Sequence, residues 1–469
     1  LLENRMRNPN NSFSVFDTLL WEKTTFQDGL ELYLNTHMTD VIAENNTIRK
    51  VIACQLTTEK TFSFEADIFI DTTGDGTLAA LAGAEYMTGR EGKDVFGEKY
   101  APDKSDKYTM GNTLLFKAVD MGRPVPFEKP FWAKTYTEED LIYRDHDEIT
   151  SGYWWVELGG DELDVITDGE ILRDELLKAV YGVWNHIKNS GNHNAENYCL
   201  DWVGFLPGKR ESRRITGDYI LKEQDLLAGT VFEDAVAYGG WPMDMHVVGG
   251  LKTRQKPTEY IHLEDCYSIP YRCLYSKNIN NLFIGGRAIS ASHMAFGSTR
   301  VMGTCAVVGQ AVGTAAAMAI EKGITPRRIL DHIKELQQRL LKDDCYIPGV
   351  KNEDINDIAR KATISCSSSI PGCECTNVTN GISRKVKDKS NCWISDVMGD
   401  NGEWIELDFN ETVNVQEVHI KFDSNLSKEL TPSISDKVLS QQHPGIPREL
   451  VKDYVIEFYN GSTLIKSKE

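Results

Sequence analysis

Residues 209–214, Lys-Arg-Glu-Ser-Arg-Arg, bring Lys209, Arg210, Arg213 and Arg214 together within six positions of a chain whose formal charge is −19. Arginine forks grip carboxylate or phosphate through paired hydrogen bonds. The cluster therefore suits an anionic substrate or a pyrophosphate, and internal pairing with Glu211 or Asp218 is the other reading. Two histidines are candidates for acid–base work, since imidazole titrates near neutrality. His293 stands between a glycine turn and an apolar segment, and His246 closes a loop-like aromatic stretch, 238–246. A lone loop histidine is as readily structural.

Two strand–glycine turn–helix segments must position these groups. In the first, the apolar run Ile68-Phe-Ile70 enters Thr73-Gly74-Asp75-Gly76, and an alanine-rich helix starts near Thr77 with Asp75 or Thr77 as its cap. In the second, Leu282-Phe-Ile284 runs into Gly285-Gly286-Arg287. A small polar stretch to Thr299 follows, and then a proline-free run, 300–320, rich in alanine, glycine and valine. That run predicts a buried helix. Unpaired N–H groups at its start and the positive end of its dipole make an anion or cofactor seat, while a plain core helix fits the same residues. No Asp-x-Asp-x-Asp calcium loop and no C-x2-C zinc pattern is present, so no metal is expected.

The rest of the chain supplies the frame. Residues 13–70 read as an antiparallel meander with Asn45-Asn46 and Glu59-Lys60 at its turns. A strand is expected at 112–119 and an aromatic strand at 153–158, either core or the lining of an apolar or sugar-binding face. An amphipathic helix covers 168–188, and another follows Gly323 and Pro326 over 326–341. Past residue 350, alternating runs at 362–367, 404–409, 413–422 and 454–459 predict a separate β-sandwich, of which only part is present. Cys366, Cys373, Cys375 and Cys392 fall close together there, as free thiols or as one or two disulfides. The net charge of −19 opposes nucleic-acid binding, which needs clustered cations. No charge-free apolar stretch of membrane-spanning length is expected. The chain opens at Leu1-Leu-Glu-Asn-Arg, which reads like the interior of a longer protein.

Taken in order, Asp71-Thr-Thr-Gly-Asp-Gly-Thr, Pro207-Gly-Lys-Arg-Glu-Ser-Arg-Arg, Ile269-Pro-Tyr-Arg-Cys-Leu and Asn281-Leu-Phe-Ile-Gly-Gly-Arg through Arg300-Val-Met-Gly-Thr-Cys-Ala together resemble a bacterial family of FAD-dependent oxidoreductases of the glutathione-reductase-like type. The resemblance covers roughly residues 13–340. It implies an α/β fold with α+β character: a partial FAD/NAD(P)-binding Rossmann-like domain and a β-rich substrate domain. Residues 13–90 and 265–345 would be the FAD-binding parts of a domain spanning 1–345, and 91–264 the substrate part. A linker, 346–362, would lead to 363–469, which resembles a discoidin-type, galactose-binding-like sandwich of jelly-roll character through Trp393, Gly402, Trp404, Val418 and Ile420. The family's G-x-G-x-x-G motif is not found in this sequence, so an N-terminal truncation is expected.

The resemblance also implies roles. The cofactor would be FAD. Thr73, Gly74, Asp75 and Gly76 would face its pyrophosphate, with Arg210 and Arg213 as cation partners. Gly285, Gly286 and Arg287 would follow the ribityl chain, and Gly297, Ser298, Thr299, Arg300 and Val301 would turn amides toward the flavin N1–C2=O edge. His293 would be the acid–base residue, His246 the second choice, and Arg214 would hold an anionic substrate group. The substrate would be small and polar, plausibly sugar-derived, with glycan contact through the C-terminal part, where Trp393 is the better candidate and Trp404 the core-like one. A binding protein with an empty flavin fold is the competing reading. A glycan lyase or hydrolase using the acidic residues at 161–168 is a third. A periplasmic or cell-surface location is the expected compartment.

Overall fold

The structure, a computed structural model, describes residues 1–190, 193–399, 402–425 and 429–469. The chain divides into two compact units. One comprises Thr24–Leu336 with Ser433–Ser440; the other comprises Leu1–Lys23, Gln337–Pro432 and Gln441–Glu469. The division falls at 336/337, where the sequence suggested 345, and it places the first residues of the chain in the smaller unit.

In the larger unit, strands β1 (Thr36–Glu44), β2 (Thr47–Gln55) and β3 (Lys60–Phe64) form an antiparallel sheet in sequential order. Asn45 and Asn46, at φ 51° and 57°, make the tight turn between β1 and β2, because asparagine tolerates the left-handed conformation that such a hairpin demands. The meander is thus shorter than expected at its start. Phe13–Thr25 is a helix, and Arg7 pairs with Glu22 at its side at 2.8 Å.

Strand β4 (Phe69–Asp71) is followed by helix α1 (Thr77–Leu81). Helix α2 (Gly169–Asn189) falls where an amphipathic helix was expected, with Asp168 at its N-cap position. Its apolar face, Leu172, Leu176, Val180, Val183 and Trp184, is buried with Phe116, Tyr153, Trp155 and Leu158 in one core. Each such side chain contributes about 1.5–3 kcal/mol when fully buried. The 153–158 segment is mostly a turn: only Glu157–Leu158 is strand. Tyr153 and Trp155 point into the core, while Trp154 is exposed.

Strands β5 (Ala235–Gly239) and β6 (Met243–His246) pair antiparallel with β8 (Tyr267–Pro270) and β7 (Thr258–Ile261) respectively. His246 therefore ends a strand, where the sequence read a loop. Strand β9 (Leu282–Ile284) runs parallel to β4 in the register Leu282↔Phe69 to Ile284↔Asp71. Asn281 locks this pair to the meander: its amide side chain bonds both Ile48 N–H and Ile48 C=O, at 2.9 and 3.0 Å.

Two helices follow, α3 (His293–Thr299) and α4 (Met302–Lys322). The helix expected from residue 300 is α4, and a further helix, α3, lies in the polar stretch before it, the two separated at Arg300–Val301. Helix α4 is half-buried, not buried. Thr304, Val308, Ala311, Val312, Ala315, Met318 and Ala319 face inward, and it packs on β5, while Met302, Gly303, Ala306, Gly309 and Gly313 are exposed. Contrary to expectation, α4 is long and apolar enough to cross a membrane by length and composition. Its buried residues give it the character of a core helix. It ends at Gly323 with φ +61°, and Pro326 opens a 3-10 turn, Pro326–His332, before helix Ile333–Lys342.

In the smaller unit, the expected sandwich does not form among the described residues. Thr363–Cys366 pairs with Ile405–Asp408, and Ile456–Asn460 pairs with Thr463–Lys468, in two separate ladders. Residues 413–422 alternate in sequence but join no ladder. Trp404 is exposed, against its expected core position, and Trp393 donates its indole N–H to Ser368 O. All ten cysteines are free thiols; Cys375 neighbours Cys366, and Cys392 neighbours Cys373.

Candidate active site

The parallel pairing of β4 with β9 brings the two glycine turns together at the carboxyl ends of adjacent strands, where α/β folds place their ligands. Gly285 N–H donates to Asp71 O at 2.9 Å. Asp71 organises the first turn: its carboxylate accepts from Thr73 N–H and Oγ1 and from Ala79 N–H in α1. Asp75 then gathers three segments. It accepts from Lys209 Nζ at 2.7 Å, Ser212 Oγ at 2.9 Å and Arg287 Nη2 at 2.9 Å, and its carbonyl accepts from Arg213. Burial pushes the Asp75 carboxyl up, but the Lys209 and Ser212 hydrogen bonds and the Arg287 charge outweigh this and hold it below the usual range.

Four cations of the 209–214 segment have different fates. Lys209 is taken by Asp75. Arg214 is fully buried, paired with Glu211 and Glu91 at 2.6 Å each. It is placed to hold those carboxylates, not to touch a substrate as the sequence suggested. Arg210 lies 3.6 Å from Glu157 and also donates to Thr113 Oγ1 and Trp154 O. Arg213 alone has no carboxylate within ion-pair distance among the described residues. Its guanidinium lies over the Tyr86 ring. Asp218 takes no part, being bound by Arg327.

Two histidine–carboxylate pairs lie beyond this turn. Ser292 caps α3 by accepting from Ala295 N–H, which sets His293 in the first turn of the helix. His293 Nδ1 is 2.9 Å from Glu211 Oε1, and its backbone N–H donates to Glu91 Oε2 at 2.8 Å. Its Nε2 has no hydrogen-bond partner among the described residues. His246 is held on both sides, by Glu157 at Nδ1 (2.5 Å) and by Asp244 at Nε2 (3.3 Å), while Arg300 binds the same Asp244 oxygen at 2.8 Å.

Successive amides grip the two carboxylates: Met110 N–H donates to Glu211 Oε2 at 3.0 Å and Gly111 N–H to Glu157 Oε1 at 2.6 Å. A Cβ on Gly111 would come within 2.8 Å of Glu157 Cγ, so glycine is required there. Burial raises both carboxyls. The charge and hydrogen bond of His293 with Arg214 at Glu211, and Arg210 with His246 at Glu157, reverse this and hold both below the usual range. Asp244 follows the same pattern through His246, Thr258 and Arg300. Glu98, which accepts from Ser292 Oγ and Glu223 N–H, is instead raised, because burial dominates.

Glu157, Asp244 and Glu91 were not singled out from sequence. Glu211 was, as a partner for the arginines, and one acid among four cations was its signal.

A family model described as FAD dependent oxidoreductase matches residues 3–340. The chain belongs to the FAD-dependent oxidoreductase family. No curated protein and no solved structure matches. Membership makes the protein an oxidoreductase and FAD its cofactor.

The residues present fit that group. Gly286, at φ +67°, would carry a Cβ that meets nothing within 4 Å, so the backbone is open beside the paired strands. Arg287 Nε, Thr299 Oγ1 and Arg300 Nε are buried without hydrogen-bond partners, as groups awaiting a polar ligand are. The expected amide seat moves, however. Gly297, Ser298 and Thr299 lie inside α3 and are buried; a Cβ on Gly297 would meet Met245 Sδ at 2.7 Å, and Arg300 N–H is spent on Phe296 O. Val301 is the N-cap of α4, so the open amides are those of its first turn, where Met302 is 88% exposed and Gly303 faces open space.

Proposed function

We propose that this protein transfers a hydride between a small polar substrate and flavin N5, with His293 as the acid–base residue. The observation that carries the reading is the asymmetry of His293: one ring nitrogen is held by Glu211, and the other has no partner among the described residues. Bound FAD supplies the hydride acceptor or donor. Glu211 fixes the imidazole orientation from the Nδ1 side, and its negative charge stabilises the imidazolium formed when Nε2 takes a substrate hydroxyl proton. Arg214 and the Met110 amide keep Glu211 in place. General acid–base assistance of this kind contributes about 10²–10⁴-fold in rate. His246, clasped by carboxylates at both nitrogens, has no free nitrogen to serve as base and acts as a fixed electrostatic group.

Thr73, Gly74, Gly76, Gly285, Gly286 and Arg287 would hold the cofactor beside β4 and β9. Arg213 would meet a phosphate or a substrate anion, and Val301 would present the first turn of α4. A polyol or sugar-like substrate is the class we favour. Trp154 is 41% exposed and stands edge-on to His246 with ring centroids 5.5 Å apart. An apolar ring beside hydrogen-bonding carboxylates suits a molecule with C–H faces and hydroxyl edges.

The visible spectrum of the purified full-length protein, followed by anaerobic addition of candidate polyols, tests the reading. Flavin absorbance bleached by substrate supports it. Substrate bleaching that survives His293→Ala unchanged would overturn the acid–base assignment.

A further inference from the structure

We propose that Glu138, His146, His186 and His193 form a site for one divalent transition-metal ion of the zinc class, away from the flavin region. Each residue offers one ligand atom, and the four atoms lie within 4.8 Å of one another. His186 Nε2 and His193 Nε2 are 3.3 Å apart. Glu138 Oε1 is 3.1 Å from the first and 3.5 Å from the second, and Glu138 Oε2 is 3.5 Å from His146 Nε2. Bonds of about 2.0–2.1 Å in a tetrahedral zinc site put neighbouring ligand atoms about 3.3–3.4 Å apart. Small shifts would close the set around an ion.

Hydrogen bonding alone accounts poorly for this arrangement. His146 Nδ1 lies 2.5 Å from Arg144 O. A carbonyl only accepts, so Nδ1 carries the proton and Nε2 of the neutral ring presents a lone pair. That lone pair faces a carboxylate oxygen, itself an acceptor. The Nε2 atoms of His186 and His193 also face each other, so one proton at most can lie between them and the other nitrogen presents a lone pair. An extra proton would relieve the conflict at His146 only by putting an imidazolium charge there. The histidine side chains are 10%, 4% and 7% exposed, where such charge is costly. One cation at the centre satisfies every lone pair at once. The Nδ1–carbonyl bond of His146 is also the outer-shell contact that ordinarily orients a metal-bound imidazole.

The donor set selects the ion. Three imidazoles and one carboxylate suit zinc, copper or nickel over calcium or magnesium, which take oxygen ligands. Four protein ligands leave no open position, as in structural sites. The ligands come from the end of α2 (His186), the segment after it (His193), the 137–141 turn (Glu138) and His146. An ion would therefore pin the turn and the His146 segment onto the helix that carries the core. In sequence the histidines at 146, 186 and 193 match no compact ligand pattern, and the expectation of no metal rested only on the absent calcium-loop and C-x2-C patterns.

The test uses the tag-free full-length protein, stripped with chelator and titrated with Zn²⁺ by calorimetry and with Co²⁺ by visible absorption. One equivalent should bind, raise the unfolding temperature and, as Co²⁺, give a tetrahedral spectrum without thiolate charge-transfer bands. His186→Ala and His193→Ala should weaken Zn²⁺ binding by more than the about 10–100-fold that losing an outer-shell partner costs. Glu138→Gln, at a half-exposed position, tests the same point in a variant with little risk to folding. Wild-type protein that binds no stoichiometric Zn²⁺, or binding unchanged in Glu138→Gln and the histidine variants, or binding through thiols, overturns the proposal.

Discussion

His293 and Glu211 share one oxygen with a third residue: Glu211 Oε1 is 2.9 Å from His293 Nδ1 and 2.6 Å from Arg214 Nη1. The carboxylate therefore neutralises a buried arginine and orients the imidazole at once. His293→Ala should slow substrate-dependent flavin reduction by about 10²–10⁴-fold while leaving the FAD-to-protein ratio near that of the wild type. Stopped-flow absorbance gives the first quantity and the spectrum of the resting enzyme the second.

Glu211→Ala removes the partner of a fully buried guanidinium. Breaking one side of such a pair costs about 3–5 kcal/mol, and Glu91 offsets part of it through its own bond to Arg214. Urea unfolding should show a loss toward the lower end of that range, with Glu211→Gln milder because it keeps an oxygen for His293.

Acid should destabilise the larger unit. Glu211, Glu157, Asp244 and Asp75 are all held below their ordinary values in the fold. Each contributes stability that is present above the unfolded value, about 4, and lost as pH falls through its folded value. Glu98 is raised by burial, so its contribution runs the other way and is lost as pH rises above the ordinary glutamate value. Denaturation midpoints measured from pH 7 down to pH 3 should fall steeply at the acid end, and Glu211→Gln should flatten that slope.

Gly74 and Gly286 separate fold from cofactor. Both have positive φ, +79° and +67°, so alanine costs about 1–2 kcal/mol in backbone strain at either. At Gly74 the new Cβ would also lie 2.6 Å from Arg287 Nη1, disturbing the Asp75–Arg287 pair, whereas at Gly286 it meets nothing. Gly74→Ala should show the larger loss of stability. Gly286→Ala should keep most of its stability yet retain less FAD, because the methyl group fills space left open for the ligand. Thermal unfolding and flavin content measured on the same preparations distinguish the two effects.

The C-terminal cysteines pair by proximity as Cys366 with Cys375 and Cys373 with Cys392. Mild oxidation should produce those two disulfides and not the alternatives, read by mass spectrometry of non-reduced peptides.

The strand–turn–helix segments were legible because short apolar runs end in glycines whose φ only glycine adopts easily, as at Gly74, Gly76 and Gly286. The pairing of β4 with β9 was not legible, since the strands are far apart in sequence; the family resemblance placed both turns at the cofactor without pairing their strands. The histidine partners were hidden for the same reason: Glu157 and His246 meet across 89 positions and Glu211 and His293 across 82, and no local pattern encodes such a contact. The helix at Phe13–Thr25 was missed although its apolar residues at 13, 16 and 20 fall at helical spacing; the alternating runs that begin near Leu30 were extended over it. The alternation at 413–422 misled in the opposite direction, because a strand also needs a neighbour to bond.

The neighbouring amides of Met110 and Gly111 have a mechanical meaning. Residues 110 and 111 have Cα atoms about 3.8 Å apart by covalent geometry, and their two amides anchor both Glu211 and Glu157. The proposed acid–base histidine, His293, and the fixed His246, drawn from remote parts of the chain, are thus tied through their carboxylates to one short backbone segment. A backbone displacement there would carry both carboxylates with it, and with them the hydrogen bonds that orient the two histidines.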